Sequence, residues 1–227
     1  MTRHWWAPAA IVLVGLAAGA LSAGRIASPL IGFLIFSLSG AVGLVFGAGM
    51  AAIGVMRFVR GRDGGGRIFA TAAIPLVAGL MVLASFLSTP SATYNDVTTD
   101  LADPPVFLAG PAAGISYPDS FRAWHRETYP YLASARLSIP AEAAFTQAKA
   151  LVETNGWAIK AEDRTQGLIH AVARTAVFRF EDDVAIRVRA NGVGSVVDLR
   201  SRSRIGRGDR GVNARRIRDY LLALTTP

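Results

Sequence analysis

The 227-residue sequence contains no cysteine, and it contains only two lysines and three histidines. Without cysteine the chain has no disulfide, thiolate zinc site, iron–sulfur cluster or cysteine nucleophile. Neither the histidines nor the carboxylates are spaced like metal ligands, so we expect no metal and no cofactor. Acids are scarce in the first 88 residues, where Asp63 stands alone against six arginines. The lack of these residues and patterns excludes most classes of enzymatic catalysis.

Three long apolar stretches fill the same N-terminal part, at about 5–23, 29–56 and 68–87. About 20 apolar residues are needed to cross a hydrocarbon core of about 30 Å. Trp5 and Trp6 stand where an interfacial aromatic anchor is expected. The sequence therefore predicts a transmembrane region over residues 1–88 with three helices, embedded in a lipid bilayer.

The polar gap between the second and third stretches carries four arginines, which orient the predicted helices. Arginine-rich loops stay on the cytoplasmic side, which places residues 57–67 and Arg3 inside and Arg25 outside. The third helix then delivers the remaining chain to the periplasm of a bacterial inner membrane, with the N-terminus in the cytoplasm. The Arg- and Ala-rich, Lys-poor composition is typical of a GC-rich bacterium. An alternative is a cleaved signal peptide over residues 1–23, which leaves the C-terminal part on the same side.

The net charge of +8 divides into +5 over the first 88 residues and +3 over the rest. Membrane orientation accounts for most of the excess, so a nucleic-acid partner is not favoured. Gly15 with Gly19 and Gly43 with Gly47 have the four-residue spacing that lets helices approach closely. These glycines serve packing within the chain or, alternatively, a homo-oligomer. The run 64–66 reads as a flexible loop rather than a phosphate cradle.

Residues 89–134 are rich in Pro, Gly, Ser and Asp, and they predict an irregular strap that packs on the domain through its aromatic side chains. Residues 135–227 predict an α+β domain in the order β-α-β-β-β-β-α. An antiparallel sheet of about four or five strands carries two helices on one face. The predicted helices span 141–154 and 212–224, with a hairpin turn at Asn191-Gly192. The predicted strands span about 135–139, 157–162, 168–175, 178–190 and 195–205.

Arg200, Arg202 and Arg204 alternate along the last strand and therefore share a face. Pairing Ala190 with Ser195 would set Arg187 against Asp198, Asp183 against Arg202, and Glu181 against Arg204. Opposite charges across an antiparallel pair are favourable. The ladder is then mostly neutralised by cross-strand salt bridges, and the alternative is a platform for an anionic small ligand.

Asp182 falls on the opposite, apolar face together with Ser201 and Ser203. A carboxylate there needs hydrogen-bond partners, which the two serines and the turn 206–213 can supply. One interpretation is a closed structural network, and the other is a polar pocket at a helix N-terminus, where an anion is favoured. His170 lies mid-strand and is expected to be structural or exposed rather than catalytic, and His125 has no identifiable acid or nucleophile partner in the sequence.

Several separate motifs carry a resemblance to a known family: NDVTTD at 95–100, DPP at 103–105, FEDDVAIRV at 180–188, DLRSRSRIG at 198–206 and NARRI at 213–217. Over residues of about 92–224 the chain resembles the bacterial domain-of-unknown-function family 1499, with the apolar helices outside the match. The resemblance implies no reaction. The positions that it emphasises, taken as candidate ligand-binding residues, are Asp182, Asp183, Arg187, Arg200, Ser201, Ser203, Arg204, Asp209, Asn213 and Arg216.

These observations favour an inner-membrane protein that presents a non-catalytic domain to the periplasm, where it binds a ligand or an envelope protein. One alternative is an envelope or lipid hydrolase with a polar site near Asp182. Another is a subunit or assembly factor of a membrane complex. No catalytic residue is assigned.

Overall fold

A computed structural model of the chain describes residues 7–87 and 94–226. The sequence-based expectations for Arg3, Trp5 and Trp6, and for the start of the strap at 89–93, lie outside these residues. The chain divides into two compact units. The first comprises residues 1–89 and 175–179, and the second comprises 90–174 and 180–227.

The first unit consists of helices α1 (Ala7–Ala23), α2 (Pro29–Val59) and α3 (Gly65–Leu87). Helices α2 and α3, with 31 and 23 residues and a hydropathy of 2.2 each, are long and apolar enough to cross a membrane. Helix α1 is also apolar, but its 17 residues give a length of only about 25 Å. Two candidate spans are thus supported, and the third stays a prediction.

The turn between α2 and α3 is shorter than the sequence predicted. Helix α2 continues past Met56 to Val59, and α3 already begins at Gly65, so Gly65 and Gly66 are helical rather than a flexible loop. The Arg57 side chain closes the turn by donating to the Asp63 carbonyl at 2.6 Å. Gly65 lies so close to α2 that a Cβ there would meet the Phe58 nitrogen at 2.7 Å.

Glycines bring α2 and α3 into close contact. Gly40, Gly47 and Gly54 recur every seven residues on α2, and all are buried. A Cβ at Gly47 would lie 2.7 Å from the Leu76 nitrogen, and one at Gly54 would lie 2.8 Å from the Phe69 nitrogen. Such contacts are possible only without a side chain. This seven-residue spacing therefore serves packing within the chain, and a homo-oligomer through the predicted pairs Gly15/Gly19 and Gly43/Gly47 stays a prediction.

The second unit is an α+β domain with six strands, three α-helices and a short 3₁₀ helix (Gly110–Ala112) among the residues described. Its sheet is antiparallel, in the order β1-β6-β5-β4-β3, and β2 pairs with β6 on the same side as β1. The elements in chain order are β1 (Asp96–Thr98), α4 (Asp119–Thr128), β2 (Ala135–Leu137), α5 (Ala141–Thr154), β3 (Ala158–Asp163), β4 (Leu168–Arg174), β5 (Glu181–Asn191), β6 (Gly194–Ser203) and α6 (Val212–Thr225).

The β5–β6 hairpin confirms the predicted register. Ala190 pairs with Ser195, and Arg187 pairs with Asp198. The turn depends on Gly192, whose φ of 62° is disfavoured for residues with a Cβ. The alternation of side chains along both strands is thereby fixed, so every residue of the hairpin has a defined face.

Helices α5 and α6 cover one face of the sheet and form the main core with it. Phe145 and Val152 of α5 and Ile217 and Tyr220 of α6 are buried there. The Tyr220 hydroxyl donates to the Ala148 carbonyl at 2.7 Å, which joins the two helices. This face matches the predicted arrangement of two helices on one side.

The opposite face is covered by residues 99–118, which link β1 to α4 and are called here the cover segment. Phe107 and Ala112 of this segment are buried with Ala185 of β5. The prediction of an irregular strap over residues 89–134 is therefore partly wrong, because this range contains β1 and α4. A three-residue strand shows no alternation. Helix α4 is short and polar on average, but it is amphipathic, with Phe121, Trp124 and His125 at helical spacing, and this pattern was missed.

Candidate functional site

The ten candidate residues do not form one site, because they lie on both faces of the sheet. Strand alternation puts four of them under the cover segment: Asp183, Arg187, Arg200 and Arg204. The other six lie on the helix-covered face or at the start of α6: Asp182, Ser201, Ser203, Asp209, Asn213 and Arg216. Two separate polar clusters result.

Arg200 is the centre of the first cluster and forms an ion pair with Asp96 of β1. Its Nε and Nη2 atoms donate to the two carboxylate oxygens at 3.0 and 2.8 Å, and both side chains are only 1% exposed. The guanidinium also lies over the Phe107 ring at 4.6 Å and donates to the Ile115 carbonyl. Burial raises the pKa of Asp96 more than the bonds and charge of Arg200 lower it. Arg200 thus joins the sheet to the cover segment.

Arg187 makes a second connection between the sheet and the cover segment. It bonds Asp198 across the hairpin at 3.1 Å, Asp103 at 2.7 Å and Asp100 at 3.2 Å. Asp198 is fully buried and also accepts from Arg189 at 2.8 Å. The positive charge of Arg187 is thus matched by carboxylates of the chain itself.

Asp183 lies between His170 and Arg204 and is fully buried. Because the Ala109 N–H donates to Nδ1 of His170 at 3.1 Å, Nε2 carries the proton and donates to Asp183 at 3.0 Å. Arg204 donates to both Asp183 oxygens at 2.8 Å. Burial raises the pKa of Asp183, but the hydrogen bonds from Arg204 and His170 outweigh it and lower the pKa to about 2. His170 is therefore a structural residue of the cluster.

The predicted salt bridges are correct in two places and wrong in one. Arg187 binds Asp198, and Arg204 binds Glu181, as the register implied. Asp183 faces Arg202 in register, yet its partner is Arg204. Arg202 turns instead towards Asp96, at 3.7 Å. The diagonal partner is preferred because Arg204 reaches both oxygens of Asp183.

The second cluster links the end of the sheet to α6. Arg216 donates to Asp182 at 2.5 Å, to Ser201 Oγ at 2.9 Å and to Asn213 Oδ1 at 2.6 Å. The Ser201 hydroxyl donates to Asn213 Oδ1 at 2.6 Å. Asn213 Nδ2 donates in turn to Ser203 Oγ and to the Asn95 carbonyl, each at 3.0 Å. The buried Asp182 carboxylate is thus paired with Arg216. The hydroxyls of Ser201 and Ser203, which were expected to bond Asp182, bond Asn213 and Arg216 instead.

Asp209 organises the turn before α6. Its carboxylate accepts from the backbone N–H of Asn213 at 2.7 Å and of Gly211 at 2.9 Å. Gly211 has a φ of 73°, which suits glycine. Burial raises the pKa of Asp209 more than these amides lower it. The amides at the start of α6 thus donate to a side chain of the protein itself, so they are not free to bind an anion.

The chemistry that these clusters offer is limited by their internal pairing. Ser201 Oγ contacts an amide oxygen and a guanidinium, neither of which can act as the general base that a serine nucleophile needs. Within the described ranges, no group of three His, Asp or Glu side chains is arranged to hold a metal. Both clusters therefore read as structural networks, and ligand binding by them stays a prediction.

Sequence reasoning did not assign the acids Asp96, Asp100 and Asp103 to the first cluster. His125 is 1% exposed, and its Nε2 accepts from the Thr98 N–H at 3.3 Å. Burial lowers the pKa of His125 to about 4, so it is neutral at pH 7. These acids could have been found by comparing charges between distant parts of the sequence, since residues 96–103 supply carboxylates for the arginines of β5 and β6.

A shallow groove lies beside α6 and β2 and is called here the edge groove. It has a volume of about 190 Å³ and is lined by Tyr131, Leu132, Ala133, Ala135, Arg218, Leu221, Leu222 and Thr225. Tyr131 and Leu222 are more than half exposed. None of the ten candidate residues lines it. The sequence analysis did not identify this surface.

Comparison with known proteins agrees with the motifs in the second unit. Residues 96–224 match the family described as "Protein of unknown function (DUF1499)". The match covers more than half of the chain and includes all six strands and α6 except for its last residue. No curated protein matches the chain.

Proposed function

The chain belongs to the DUF1499 family, and we propose that it is a membrane-anchored binding protein whose second unit recognises an extended segment of an envelope protein at the edge groove. The observation that carries this proposal is the internal pairing of the polar clusters. Asp182, Asp183, Arg187, Arg200, Arg204 and Arg216 all bind partners within the chain. Recognition is therefore assigned to another surface.

The edge groove has the composition of a protein-recognition surface. Tyr and Arg are enriched where proteins bind each other tightly, and here Tyr131 and Arg218 flank the exposed Leu222. Its volume of about 190 Å³ lies below the ~300–1,000 Å³ that is usual for small-molecule pockets. These features favour a macromolecular partner over an anionic small ligand.

The neighbouring strand β2 favours an extended segment as the partner. β2 pairs with β6 on one side, and no other strand pairs with it in the described part of the chain. An exposed strand edge can accept a further strand through backbone hydrogen bonds, while side chains of that strand enter a nearby groove. Ala135 belongs both to β2 and to the groove lining, which brings the two features together.

The proposed location is the bacterial inner membrane, with the second unit in the periplasm. Two apolar helices support membrane association. Arg57, Arg60, Arg62 and Arg67 around the α2–α3 turn favour a cytoplasmic position for that turn. A reporter enzyme that is active only in the periplasm, fused after residue 227, should be active. Activity of a cytoplasm-only reporter at the same position would overturn the orientation.

Site-specific photo-cross-linking in intact cells tests the binding proposal. A photoreactive amino acid at Leu222 should give a discrete protein adduct, whereas one at Val193, which is 94% exposed on the β5–β6 turn, should not. Leu222→Asp should abolish the adduct formed from position 131 without unfolding the domain, since position 222 is exposed. Equal adducts at 222 and 193, or none at 222, would contradict the proposal.

A further inference from the structure

The first unit contains a cavity of about 350 Å³ that is lined by its three helices and is open on one side, where Leu16 and Met81 are more than half exposed. Its walls come from residues between Val12 and Leu16 of α1, between Phe36 and Gly43 of α2, and between Pro75 and Ser85 of α3. Apart from the hydroxyls of Ser39 and Ser85, the side chains of the lining are apolar. The Ser85 hydroxyl is bonded to the Val82 carbonyl at 2.6 Å. The lining of the cavity is thus almost entirely apolar.

The cavity is elongated along the helix axes. On α3 its lining residues follow one face from Pro75 through Ala78 and Val82 to Ser85. Ten residues of helix correspond to a length of about 15 Å. The glycines at 15, 40 and 43 line it where the helices approach closely, since a Cβ at Gly40 would meet Val82 at 2.8 Å. A long and narrow apolar space results.

A cavity of this size is poorly suited to remain empty. An apolar void forfeits dispersion contacts along its walls, and an apolar cavity of only about 150 Å³ excludes water yet takes up small apolar molecules. The volume is within the ~300–1,000 Å³ range of ligand pockets. An apolar ligand is therefore the expected occupant.

A helix from a second copy does not fit the space. An α-helix about 10 Å across and 15 Å long occupies roughly 1,200 Å³, which exceeds the space that the cavity offers. A single hydrocarbon chain lying parallel to the helices fits the dimensions. Because α2 and α3 are long and apolar enough to cross a membrane, lipid chains are the most concentrated apolar molecules around them.

We propose that this cavity binds one acyl chain of a membrane phospholipid. The inference rests on the membrane anchoring in the proposed function, but not on the edge groove. It assigns to the helices a binding role in addition to anchoring. The hydroxyl of Ser85, close to the end of α3, marks the end of the site nearest the membrane surface.

Photolabelling of the full-length chain in phospholipid nanodiscs tests the proposal. The probe is a phosphatidylcholine with a diazirine in one acyl chain, and labelled peptides are mapped by mass spectrometry. Labels should concentrate on the cavity-facing residues of α2 and α3. Ala78→Leu and Ser39→Val, which fill the cavity from two different helices, should each reduce this labelling at least threefold. Ala73→Leu, on an exposed position of α3, is the matched control and should leave it unchanged.

Three outcomes would overturn the proposal. One is labelling spread evenly over outward-facing positions such as Val77, with no effect of either filling variant. Another is labelling of the cavity by a free fatty acid that carries the same diazirine but not by the phospholipid, which would make the source of the chain wrong. Absence of label on all three helices would contradict membrane embedding itself, and so would also remove the anchoring part of the proposed function.

Discussion

Replacing Arg200 with methionine should destabilise the second unit strongly, because it removes one partner of a buried ion pair. Asp96 would keep only Arg202, at 3.7 Å, as a cationic neighbour while remaining 1% exposed. Breaking a buried pair in this way costs about 3–5 kcal/mol. Methionine preserves much of the volume of the arginine stem, so the loss arises mainly from the charge and its hydrogen bonds.

The companion variant Asp96→Asn should cost less, about 2–3 kcal/mol. In that variant Arg200 keeps the Ile115 carbonyl at 3.1 Å and the face of the Phe107 ring. The double variant should be less destabilised than the sum of the single variants by about 1–3 kcal/mol, because the two residues interact directly. This coupling energy distinguishes the loss of the ion pair from unrelated effects of either substitution.

The measurement is urea unfolding of the full chain in detergent micelles, followed by the fluorescence of Trp124 and Trp157. Amide hydrogen exchange over the cover segment gives a local readout, because Arg200 binds it directly. Arg218→Met is the control, since Arg218 and Asp219 form an exposed pair worth at most about 1 kcal/mol. If Arg200→Met lowers the free energy of unfolding by less than about 1 kcal/mol, as the control does, the buried Arg200–Asp96 pair does not stabilise the domain as argued.

Three other predictions address pH, helix packing and the α6 network. The pKa of His125 falls from 6.5 to about 4 in the folded chain, so unfolded chains bind more protons between these values. Lowering the pH from 6.5 to 4 should therefore remove about 2 kcal/mol of stability after allowance for solvent screening, and His125→Phe should flatten this part of the urea-midpoint profile. Gly47→Ala should lower the free energy of unfolding by about 1–3 kcal/mol, because the new Cβ meets the Leu76 backbone. Gly49→Ala is the control and should have no such effect, since nothing lies within 4 Å of its Cβ. Thermal unfolding followed by circular dichroism compares the two variants. Asn213→Ala should cost about 1–3 kcal/mol by leaving Ser201, Ser203 and Arg216 with lost partners, and an unchanged midpoint in chemical denaturation would argue against the closed network.

The sequence predicted the part of the fold that depends on local patterns. The helix at Ala141–Thr154 was predicted with the bounds observed, because Pro140 and Asn155-Gly156 delimit it clearly. The hairpin register was also correct, since one glycine turn and alternating side chains determine it. Local periodicity was sufficient in both places.

The burial of the arginine ladder could not be predicted in the same way. Alternating charge on a strand usually indicates a solvated face, and nothing within β5 or β6 indicates a cover. The cover is supplied by residues 99–118, whose Pro- and Gly-rich sequence has no period. To predict this cover, one has to pair the acids at 96, 100 and 103 with arginines that lie about 85–105 residues later in the chain.

The pairing of β1 with β6 also constrains the order in which the domain can fold. Asp96 and Arg200 are separated by 104 residues, so during synthesis β1, the cover segment and α4 leave the ribosome long before their partner strand exists. Contacts of such sequence separation form slowly, since a long loop must close before they stabilise anything. We therefore expect the aromatic residues of the cover segment to stay exposed until translation is nearly complete. A chain stalled before residue 194 should be protease-sensitive over residues 94–118, and the completed chain should not.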